Sequence, residues 1–395
     1  MTPQLRSRLA DFFDECVYPV EPAFAAEGGT GCADSRVLQA VRQEARSPGL
    51  WNLFSSLHPA RSELDAGLTA GLAEMIGRSP AIGQVAVHSL NPDGACVELL
   101  AALGSRDQRA RWLEALADGA ISSAYCMTEP GVASSDPRAL RVAGERQSDG
   151  TVVIDGVKSW CTGAEAPDCR VLVVLALTEP AARPAERYSL VLVSRDDPGV
   201  SVGSGHTVLG YSDAFRGGHP DVAFFAARGE LLGPAGQGLA AAQRVLGQAR
   251  MLHCMRLVGT AERALELMTA RLRSREAGGR LLSDNDLWVD RAGAARVAIE
   301  SMRALVRAMA GRPDLATAES IVKAEVPART AEIVDLAIQA HGADGLSGPG
   351  ILPELYAHAR SLRISDGPDE VHRRVVGRHE LRRHASVRSG LSEIA

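Results

Sequence analysis

Long apolar runs and clustered cysteines are both missing from this sequence. The longest apolar run, Val171 to Leu177, is far short of the ~20 residues that a membrane helix needs. The start of the chain carries Arg6 and Arg8 but no apolar stretch, so we expect no secretory signal. The seven cysteines are scattered and never form a CxxC pair. That pattern is typical of reduced thiols and predicts a cytoplasmic protein with neither disulfides nor a zinc site.

Basic charge is also scarce, since the net charge is −5 and lysine occurs only at positions 158 and 323. A mildly acidic chain lacks the basic face that nucleic-acid binding needs, so we expect no nucleic-acid partner. No GxGxxG follows a strand and no GxxxxGK[ST] is present, which argues against a Rossmann nicotinamide site and a P-loop. HExxH is missing too, and the acidic residues near His372 have no second ligand cluster, so we expect no metal.

Three regions follow one another along the 395 residues, a length that suits more than one domain. Residues 1–120 show helical spacing, residues 121–232 show short β-branched runs between turn dipeptides, and residues 233–395 show long helical patterns. Strands without intervening helices predict an antiparallel barrel or sandwich. Four long helices at the end of the chain predict a four-helix bundle. We therefore expect an α+β fold that is mostly α.

Individual elements can be placed from these patterns. The predicted helices span residues 63–78, 95–103, 106–117, 239–273, 288–310, 315–341 and 369–383, the predicted strands span residues 151–155, 170–177, 188–193 and 221–227, and a glycine-rich loop is expected at residues 28–34. Asp93 and Ser105 are expected N-caps, and Gly104 and Gly119 are expected helix ends. Pro327 should kink its helix or need a compensating partner.

The most informative segment reads YCMTEPGVASSD, from Tyr125 to Asp136. It follows a helix, opens the β region and consists of small, polar and turn-forming residues. Its successive backbone N–H groups, with the hydroxyls of Thr128, Ser134 and Ser135, could bind a polar planar ring and a phosphate. An ordinary Ser/Gly loop explains the same composition equally well.

Two further segments carry candidate functional residues. GVKSWCTG, from Gly156 to Gly163, contains Trp160 and Thr162, which can cover a flat ligand and bond to its edge. A buried core tryptophan is the more common role, so both interpretations stay open. In LRISDGPDEVH, Asp366 precedes a predicted helix that Pro368 would begin. Asp366 would then either cap that helix or act as a functional carboxylate.

Together these segments resemble the acyl-CoA dehydrogenase family, flavoenzymes that desaturate acyl thioesters. The family's YCxTEPxxxSD loop is matched from Tyr125 with one extra residue, and its W-[IS]-[TS] strand is matched from Trp160. Its R-x-x-F-G, Q-x-x-G-G-x-G and E-G-T motifs correspond to the stretches that begin at Arg275, Gln339 and Asp366. MTEPxVASSD and SDGPDEVHRR are most similar to the vertebrate subgroup that is fused to a kinase-like domain, and to its bacterial relatives.

The resemblance implies an N-terminal helical domain, a middle antiparallel β-barrel and a C-terminal four-helix bundle, with FAD between barrel and bundle. It implies FAD binding by Tyr125, Met127, Thr128, Gly131, Ser134, Ser135, Trp160, Thr162, Pro368 and Glu370, FAD binding across a subunit contact by Arg275, Gln339, Gly342 and Ala343, and substrate binding by Ser134, Arg250 and Gly367. A flavin shared across a subunit contact implies a homodimer or, as is usual in the family, a homotetramer.

The family's catalytic base is usually glutamate, and the matching position here is Asp366, which is one methylene shorter. Glu354, expected on a turn, and Asp369 and Glu370, expected in a first helical turn, are competitors nearby. Some members carry the base on the first long helix, where this chain has Ala249, which cannot act as a base. Three positions depart from the family pattern: Ser365 replaces an aromatic residue, Pro368 a threonine and Gly278 a phenylalanine.

The resemblance therefore implies FAD-dependent α,β-desaturation of an acyl thioester, with CoA or an acyl-carrier protein as the thiol. Asp366 would remove the α proton, and an electron acceptor such as an electron-transfer flavoprotein would reoxidise the flavin. Two alternatives stay open on the sequence alone: a flavin enzyme of the same fold that acts with O2 as an oxidase or monooxygenase, and a family-derived binding protein without chemistry. The departures at Gly278 and Pro368 keep the second alternative open.

Overall fold

The computed structural model describes residues 2–27, 35–47, 49–89, 92–312, 314–347 and 351–383. The loop expected at residues 28–34 lies outside these described residues. The chain divides into two compact units, of which the first holds residues 1–65 and 79–249 and the second holds residues 66–78 and 250–395. A division into three domains, with boundaries after residues 120 and 232, stays a prediction.

The N-terminal part of the chain is helical, as predicted. Its helices are α1 Thr2–Phe12, α2 Glu21–Ala26, α3 Arg36–Arg46, α4 Ala66–Gly77, α5 Ile82–Ala86, α6 Asp93–Leu103, α7 Arg106–Gln108 and α8 Glu114–Asp118, with single π-helical turns at Phe13–Val17 and Arg109–Leu113. Ser105 caps α7 in a capping box with Gln108, which confirms its predicted role. Gly104 and Gly119 follow α6 and α8 as predicted, and Gly119 adopts a φ of +69°.

Short strands form the sheet that follows. They are β1 Ser122–Cys126, β2 Ala143–Arg146, β3 Thr151–Lys158, β4 Cys169–Leu177, β5 Tyr188–Ser194, β6 Val200–Gly205 and β7 Pro220–Leu232. The pairings β4–β2, β2–β3, β3–β7, β7–β5 and β5–β4 return to their starting strand, so the sheet closes into a barrel. The barrel is antiparallel as expected, except that β1 and one residue pair of β2 run parallel to β4. The strands β1, β2 and β6 were not predicted, because they are short and poor in β-branched residues.

Strand β4 is buried on both faces and separates two apolar cores. Leu172 and Val174 join the cluster inside the barrel, together with Ile154 of β3. Val171 and Val173 face the opposite way and pack in the cluster that contains the apolar side of α6. Since side chains alternate along a strand, this double burial explains why the sequence of β4 is continuously apolar.

Asp93 is not an N-cap, and that prediction was wrong. It lies in the first turn of α6, and Pro92 precedes the helix. Its buried carboxylate accepts the backbone N–H and the hydroxyl of Ser123, each at 2.7 Å. Burial raises the pKa of Asp93 to about 6, although these bonds oppose the shift. A residue with the composition of a cap therefore makes a tertiary contact between α6 and β1.

The C-terminal part is helical again. Its elements are α9 Gly238–Ser274, α10 Asp286–Ala310, α11 Leu315–His341, α12 Ile351–Ser361 and α13 Asp369–Arg383, with a hairpin of β8 Glu276–Ala277 and β9 Arg280–Leu281. Four of these helices were predicted, whereas α12 was not. Helix α11 continues through Pro327, and Pro368 lies just before α13 rather than at its first helical position. Among the described residues, no helix is both long and apolar enough to cross a membrane.

In the second unit, α4 packs directly on α9 although it comes from the N-terminal part of the sequence. A Cβ on Gly77 or on Gly259 would lie 1.8 Å from a carbonyl oxygen of the other helix, so only glycine permits this approach. Thr260 donates its hydroxyl to the Gly77 carbonyl at 2.9 Å. At the end of α4, Arg78 pairs with Glu266 at 2.6 Å. These contacts fix α9 within the unit that contains Asp366.

Candidate active site

Two of the predicted cofactor segments contact each other in the first unit. Met127 and Thr128 follow β1, and Ser159 follows β3. The backbone N–H of Ser159 donates to the Thr128 carbonyl at 2.8 Å. The Thr128 hydroxyl in turn donates to the Ser159 carbonyl. The segments that the sequence singled out for one ligand therefore lie side by side.

A buried ion pair holds this junction. Lys158 Nζ lies 2.8 Å from Glu129 Oε1, and both side chains are buried. Lys158 also donates to the Met127 carbonyl at 3.0 Å, while Glu129 accepts the backbone N–H groups of Arg141 and Val142 at 2.7 and 2.9 Å. Burial lowers the pKa of Lys158, and the contact with Glu129 opposes that shift. The pair thereby fixes the loop after β1 against the end of β3 and the approach to β2.

Trp160 is not a core residue, so that alternative is wrong. The residue is 49% exposed, and its φ of +56° lies in the left-handed region that tryptophan seldom adopts. Its indole stacks on His206 with 4.7 Å between ring centroids, and His206 Nε2 lies 2.9 Å from Asp221 Oδ1. An exposed aromatic face that its neighbours hold in place is what covering a flat ligand requires.

The Thr162 hydroxyl belongs to a chain of hydrogen bonds next to Trp160. It lies 2.9 Å from His219 Nδ1, and His219 Nε2 lies 2.9 Å from Asp213 Oδ2. Because a carboxylate accepts, Nε2 carries the ring hydrogen and Nδ1 accepts the hydroxyl hydrogen of Thr162. The Thr162 oxygen is therefore left as an acceptor for a donor on a ligand.

Polar groups remain open in the loop after β1 and at Tyr125, which lies in β1 itself. Gly131 has a φ of +70° and open space where a Cβ would be, and Ser134 and Ser135 are exposed. The Tyr125 hydroxyl is buried and has no hydrogen-bond partner in the described part of the chain. An orphaned buried donor is costly, so a bound polar group would stabilise Tyr125. These features fit the flavin and phosphate binding that the resemblance implies.

Asp366 lies in the left-handed turn between α12 and α13. Its φ is +58° and that of Gly367 is +104°, and a Cβ on Gly367 would lie 2.7 Å from His372 Nε2. The Asp366 carbonyl accepts a hydrogen bond from Arg250 Nε at 2.8 Å and faces His372 Nε2 at 3.2 Å. Its side chain is 22% exposed, and its backbone N–H has no acceptor among the described residues. The Asp366 carbonyl is therefore held by its neighbours, while the carboxylate and the backbone N–H of Asp366 remain available to a ligand.

Lys323 of α11 is buried against the same turn. Its ammonium group donates to the carbonyl oxygens of Leu362 and Gly367, the second at 3.1 Å. Burial raises the pKa of Asp366, while the positive charges of Lys323 and of two arginines on α9 oppose that shift. Asp366 is thus a carboxylate in cationic surroundings whose pKa is raised from its ordinary value by burial.

Two of the three competing carboxylates pair with arginines. Asp369 is buried and lies 2.8 Å from Arg363, and Glu370 is exposed and lies 2.8 Å from Arg373. Glu354 lies on α12, so the expectation that it occupies a turn was wrong. Within the described ranges, no group of three or more His, Cys, Asp or Glu side chains could hold a metal ion. Asp366 is therefore the carboxylate best placed to act on a ligand.

The residues implied in binding across a subunit contact lie around the ends of α9 and α11. Four of these residues are exposed there, namely Arg275, Gln339, Gly342 and Ala343. Arg271 joins the two helix ends through an ion pair of 2.9 Å with Asp344. The structure thus brings these residues to one exposed region of the second unit, and their role toward a second copy stays a prediction.

Sequence reasoning missed the residues that hold the loops in place. Glu129 and Lys158 lie inside the quoted segments, yet their pairing spans 29 positions and could not be seen locally. The one available signal was the scarcity of lysine. Both Lys158 and Lys323 are fully buried, and each binds a backbone carbonyl of a predicted functional loop.

Known proteins share both the sequence and the fold of this chain. The profile of the acyl-CoA dehydrogenase middle domain matches residues 124–219, and that of the acyl-CoA dehydrogenase C-terminal domain matches residues 236–381. The Mycobacterium tuberculosis protein named probable acyl-CoA dehydrogenase FadE2 is 39% identical over 396 residues, which cover 97% of this chain and 96% of that protein. The mouse acyl-CoA dehydrogenase family member 10 is 37% identical over 97% of this chain, which spans 37% of that longer protein.

Solved structures agree with these similarities. An acyl-CoA dehydrogenase homologue from Mycobacterium abscessus matches with a TM-score of 0.91 at 37% identity, covering 97% of this chain and 98% of that one. The glutaryl-CoA dehydrogenase of Mycobacterium smegmatis in complex with FADH2 shares the fold, with a TM-score of 0.79 at 19% identity over 96% and 94% of the two chains. The similarity to mouse family member 10 confirms the vertebrate subgroup that the motifs indicated. Since FadE2 is similar along nearly its full length, the chain belongs to the acyl-CoA dehydrogenase family.

Proposed function

We propose that this protein is an FAD-dependent acyl-thioester dehydrogenase that forms a double bond between the α and β carbons of its substrate. The observation that carries the proposal is the setting of Asp366. Its carboxylate is partly open, cationic side chains surround it, and its backbone N–H is without an acceptor in the described part of the chain. Membership of the family supports the reaction class.

The first unit supplies residues that fit FAD. Trp160 offers an exposed indole face, Thr162 an acceptor, and Tyr125 a hydroxyl that lacks a partner among the described residues. Ser134 and Ser135 offer hydroxyls beside the open backbone of Gly131. The related glutaryl-CoA dehydrogenase structure contains FADH2, which supports the same cofactor here. Bound FAD would supply the oxidising chemistry, since it accepts the β hydrogen as hydride.

Asp366 would take the α proton of the acyl chain onto its carboxylate. That proton is weakly acidic, so removal requires stabilisation of the negative charge that develops on the thioester oxygen. The free backbone N–H of Asp366 can donate to that oxygen, because Arg250 and His372 hold the Asp366 carbonyl and so fix the turn. A pKa raised by burial also suits a general base, which works best near the ambient pH.

Anaerobic flavin bleaching tests the proposal. The flavin-loaded protein is mixed with acyl-CoAs that differ in chain length, branching and hydroxylation, and the loss of flavin absorbance is followed in time. We expect Asp366→Asn to retain FAD and to bind the best substrate, but to reduce its flavin on the order of 10²-fold more slowly or worse. Asp335→Asn is the matched control, because Asp335 is exposed on α11 away from the turn.

Other outcomes would favour the alternatives. Reduction of the Asp366→Asn flavin at the wild-type rate would show that another group is the base. Consumption of O2 without a desaturated product would indicate an oxidase or monooxygenase. Failure to retain flavin after reconstitution with FAD would count against the dehydrogenase and favour a binding protein without chemistry.

Several finer properties belong to the same proposal. We expect the thiol carrier to be CoA or an acyl-carrier protein, and the acceptor to be an electron-transfer flavoprotein. The exposure of Arg275 and Gln339 supports a homodimer or homotetramer in which they reach a neighbour's flavin. Light scattering that showed a flavin-loaded monomer would contradict this assembly. A cytoplasmic location is part of the proposal as well.

A further inference from the structure

His253 is a buried imidazole that lies outside every sequence motif described above. It lies on α9, one turn after Arg250, and is 6% exposed. Its Nε2 atom lies 3.5 Å from Asp366 Oδ2. Its Nδ1 atom lies 2.9 Å from Arg256 Nη2, and Arg256 is fully buried as well. The three side chains therefore form a row that ends on the carboxylate assigned as the base.

The order of this row determines where the imidazole hydrogen lies. A guanidinium group only donates hydrogen bonds, so Arg256 must donate to His253 Nδ1. A nitrogen that accepts carries no hydrogen, and neutral imidazole then has its hydrogen on Nε2. The Nε2–H group consequently faces Asp366 Oδ2. A second ring hydrogen on Nδ1 would point at the guanidinium, so the row favours neutral His253 over its cation.

We propose that His253 is a positioning residue for Asp366, holding one carboxylate oxygen through Nε2–H so that the other oxygen faces the α carbon of the substrate. This inference rests on the proposed function of Asp366 as the base. Arg256 is part of the device because it selects the tautomer. The 3.5 Å separation is long for a hydrogen bond, and catalytic hydrogen bonds commonly tighten when substrate binds.

The surroundings of Asp366 explain why a neutral donor is useful there. The charged and titratable groups on the elements packed around Asp366 are Arg250, Cys254 and Arg256 of α9, Glu319 and Lys323 of α11, and Asp369 and His372 of α13. The cations already favour the charged carboxylate. A further cation at His253 would favour the charged carboxylate strongly and weaken the base, whereas a neutral N–H lowers the Asp366 pKa less and also fixes the orientation of the carboxylate.

Three substitutions separate this role from packing. Glutamine places an amide N–H about where His253 Nε2 lies, asparagine places it about where Nδ1 lies, and leucine has no donor. We expect His253→Leu and His253→Asn to lower the rate of flavin reduction at saturating substrate by about 10- to 100-fold. We expect the acid limb of the pH–rate profile to move up by about one unit, because the charged form of Asp366 loses a donor. His253→Gln should retain a rate within about threefold of wild type.

Infrared difference spectroscopy gives a readout that does not need turnover. The protonated-carboxyl band that disappears in Asp366→Asn is followed with pH in the flavin-loaded protein. It should titrate at a higher pH in His253→Leu than in wild type, and at the wild-type pH in His253→Gln. If no acyl-CoA bleaches the wild-type flavin, the proposed function fails while this titration still tests the contact.

Two results would overturn the inference. One is an unchanged rate and pH profile in both His253→Leu and His253→Asn, with wild-type protein active. The other is a His253→Gln variant as slow as His253→Leu with the acid limb of both unmoved, which would make His253 a packing residue. Retention of FAD by all three variants is the folding control.

Discussion

The two lysines of this chain hold two different loops in two different ways. Lys158 braces the loop after β1 in the first unit, and its charge is matched by Glu129 at 2.8 Å. Lys323 braces the turn of Asp366 in the second unit, and it donates to carbonyl oxygens rather than to a carboxylate. Both are buried, and burial lowers the pKa of each.

The two lysines therefore have different effects. Lys158 stabilises the conformation of a loop, whereas Lys323 also changes the pKa values of the groups beside it. The Glu129 partner cancels the field of Lys158, so that pair acts on the shape of the cofactor loop. The charge of Lys323 is left to act on its surroundings, where it opposes the rise in the Asp366 pKa and lowers the pKa of His372. A buried pair therefore fixes a loop, whereas a buried lysine on carbonyl groups also tunes the acid–base residues beside it.

The largest expected effect comes from Lys158→Met. This change leaves Glu129 buried without its cation, which typically costs about 3–5 kcal/mol in the free energy of unfolding. Chemical denaturation should show the loss, and FAD retention should weaken because the loop after β1 is released. Glu129→Gln combined with Lys158→Met should recover part of the stability, since no unpaired charge remains. If Lys158→Met alone is as stable as wild type, the ion pair with Glu129 does not stabilise the loop after β1.

Lys323→Met should shift the pH dependence of flavin reduction, in addition to the stability that is lost with its two hydrogen bonds to carbonyl oxygens. Removing the cation lets burial raise the Asp366 pKa further, so the acid limb of flavin reduction should move up by about one unit. Because a general base must be deprotonated, the rate at neutral pH then falls. Arg307→Met is the control, because Arg307 is an exposed cation on α10 and its removal should leave the acid limb unchanged. If the acid limb lies at the same pH in wild type and in Lys323→Met, the charge of Lys323 does not act on the pKa of Asp366.

The smallest expected effect concerns His372. Burial and then the charge of Lys323 lower its pKa from 6.5 to about 4. Between these values the unfolded state binds the proton more readily than the folded state, so the free energy of unfolding falls as pH falls through this window. In Lys323→Met the folded pKa should rise, and the fall should shrink by under about 1 kcal/mol.

Denaturation at a series of pH values measures this change. His88 in the first unit, whose pKa burial lowers to about 3, contributes to acid sensitivity in both proteins and cancels in the difference. His372→Gln provides the reference without the titrating group. The prediction is wrong if wild type and Lys323→Met lose stability equally between the two values.

Much of the fold could be predicted because local patterns agree with tertiary burial. The continuous apolar run of β4 predicts a strand because both of its faces are buried. Ser105 predicts a helix start because a serine cap satisfies backbone donors whatever the tertiary structure. Asp93 is also a residue type that often caps helices, but its carboxylate instead accepts a hydrogen bond from Ser123, 30 positions further along the chain. Helix α12 was missed, since Pro353 in its first turn was read as part of a turn.

The residues of the candidate site, too, could be predicted only where they lie in a short sequence motif. Asp366, Trp160 and Thr128 could be named because they lie in short motifs, where resemblance operates residue by residue. The clamps on the Asp366 turn come from α9, α11 and α13, so no motif contains them. Arg250 was expected to hold substrate, and the structure places its guanidinium on the Asp366 carbonyl, a distance of 116 positions along the chain. Its role toward substrate stays a prediction.

The glycine contact between α4 and α9 sets a time scale for making this protein. Gly77 and Thr260 are 183 positions apart. At synthesis rates of about 5–20 residues per second, α4 therefore emerges roughly 10–40 s before the helix that covers it. Helix α4 carries Leu72, Ala73 and Ile76, which are fully buried in the folded unit. Their final packing cannot form before that interval has passed. The second unit consequently completes its packing late, by a long-range docking step.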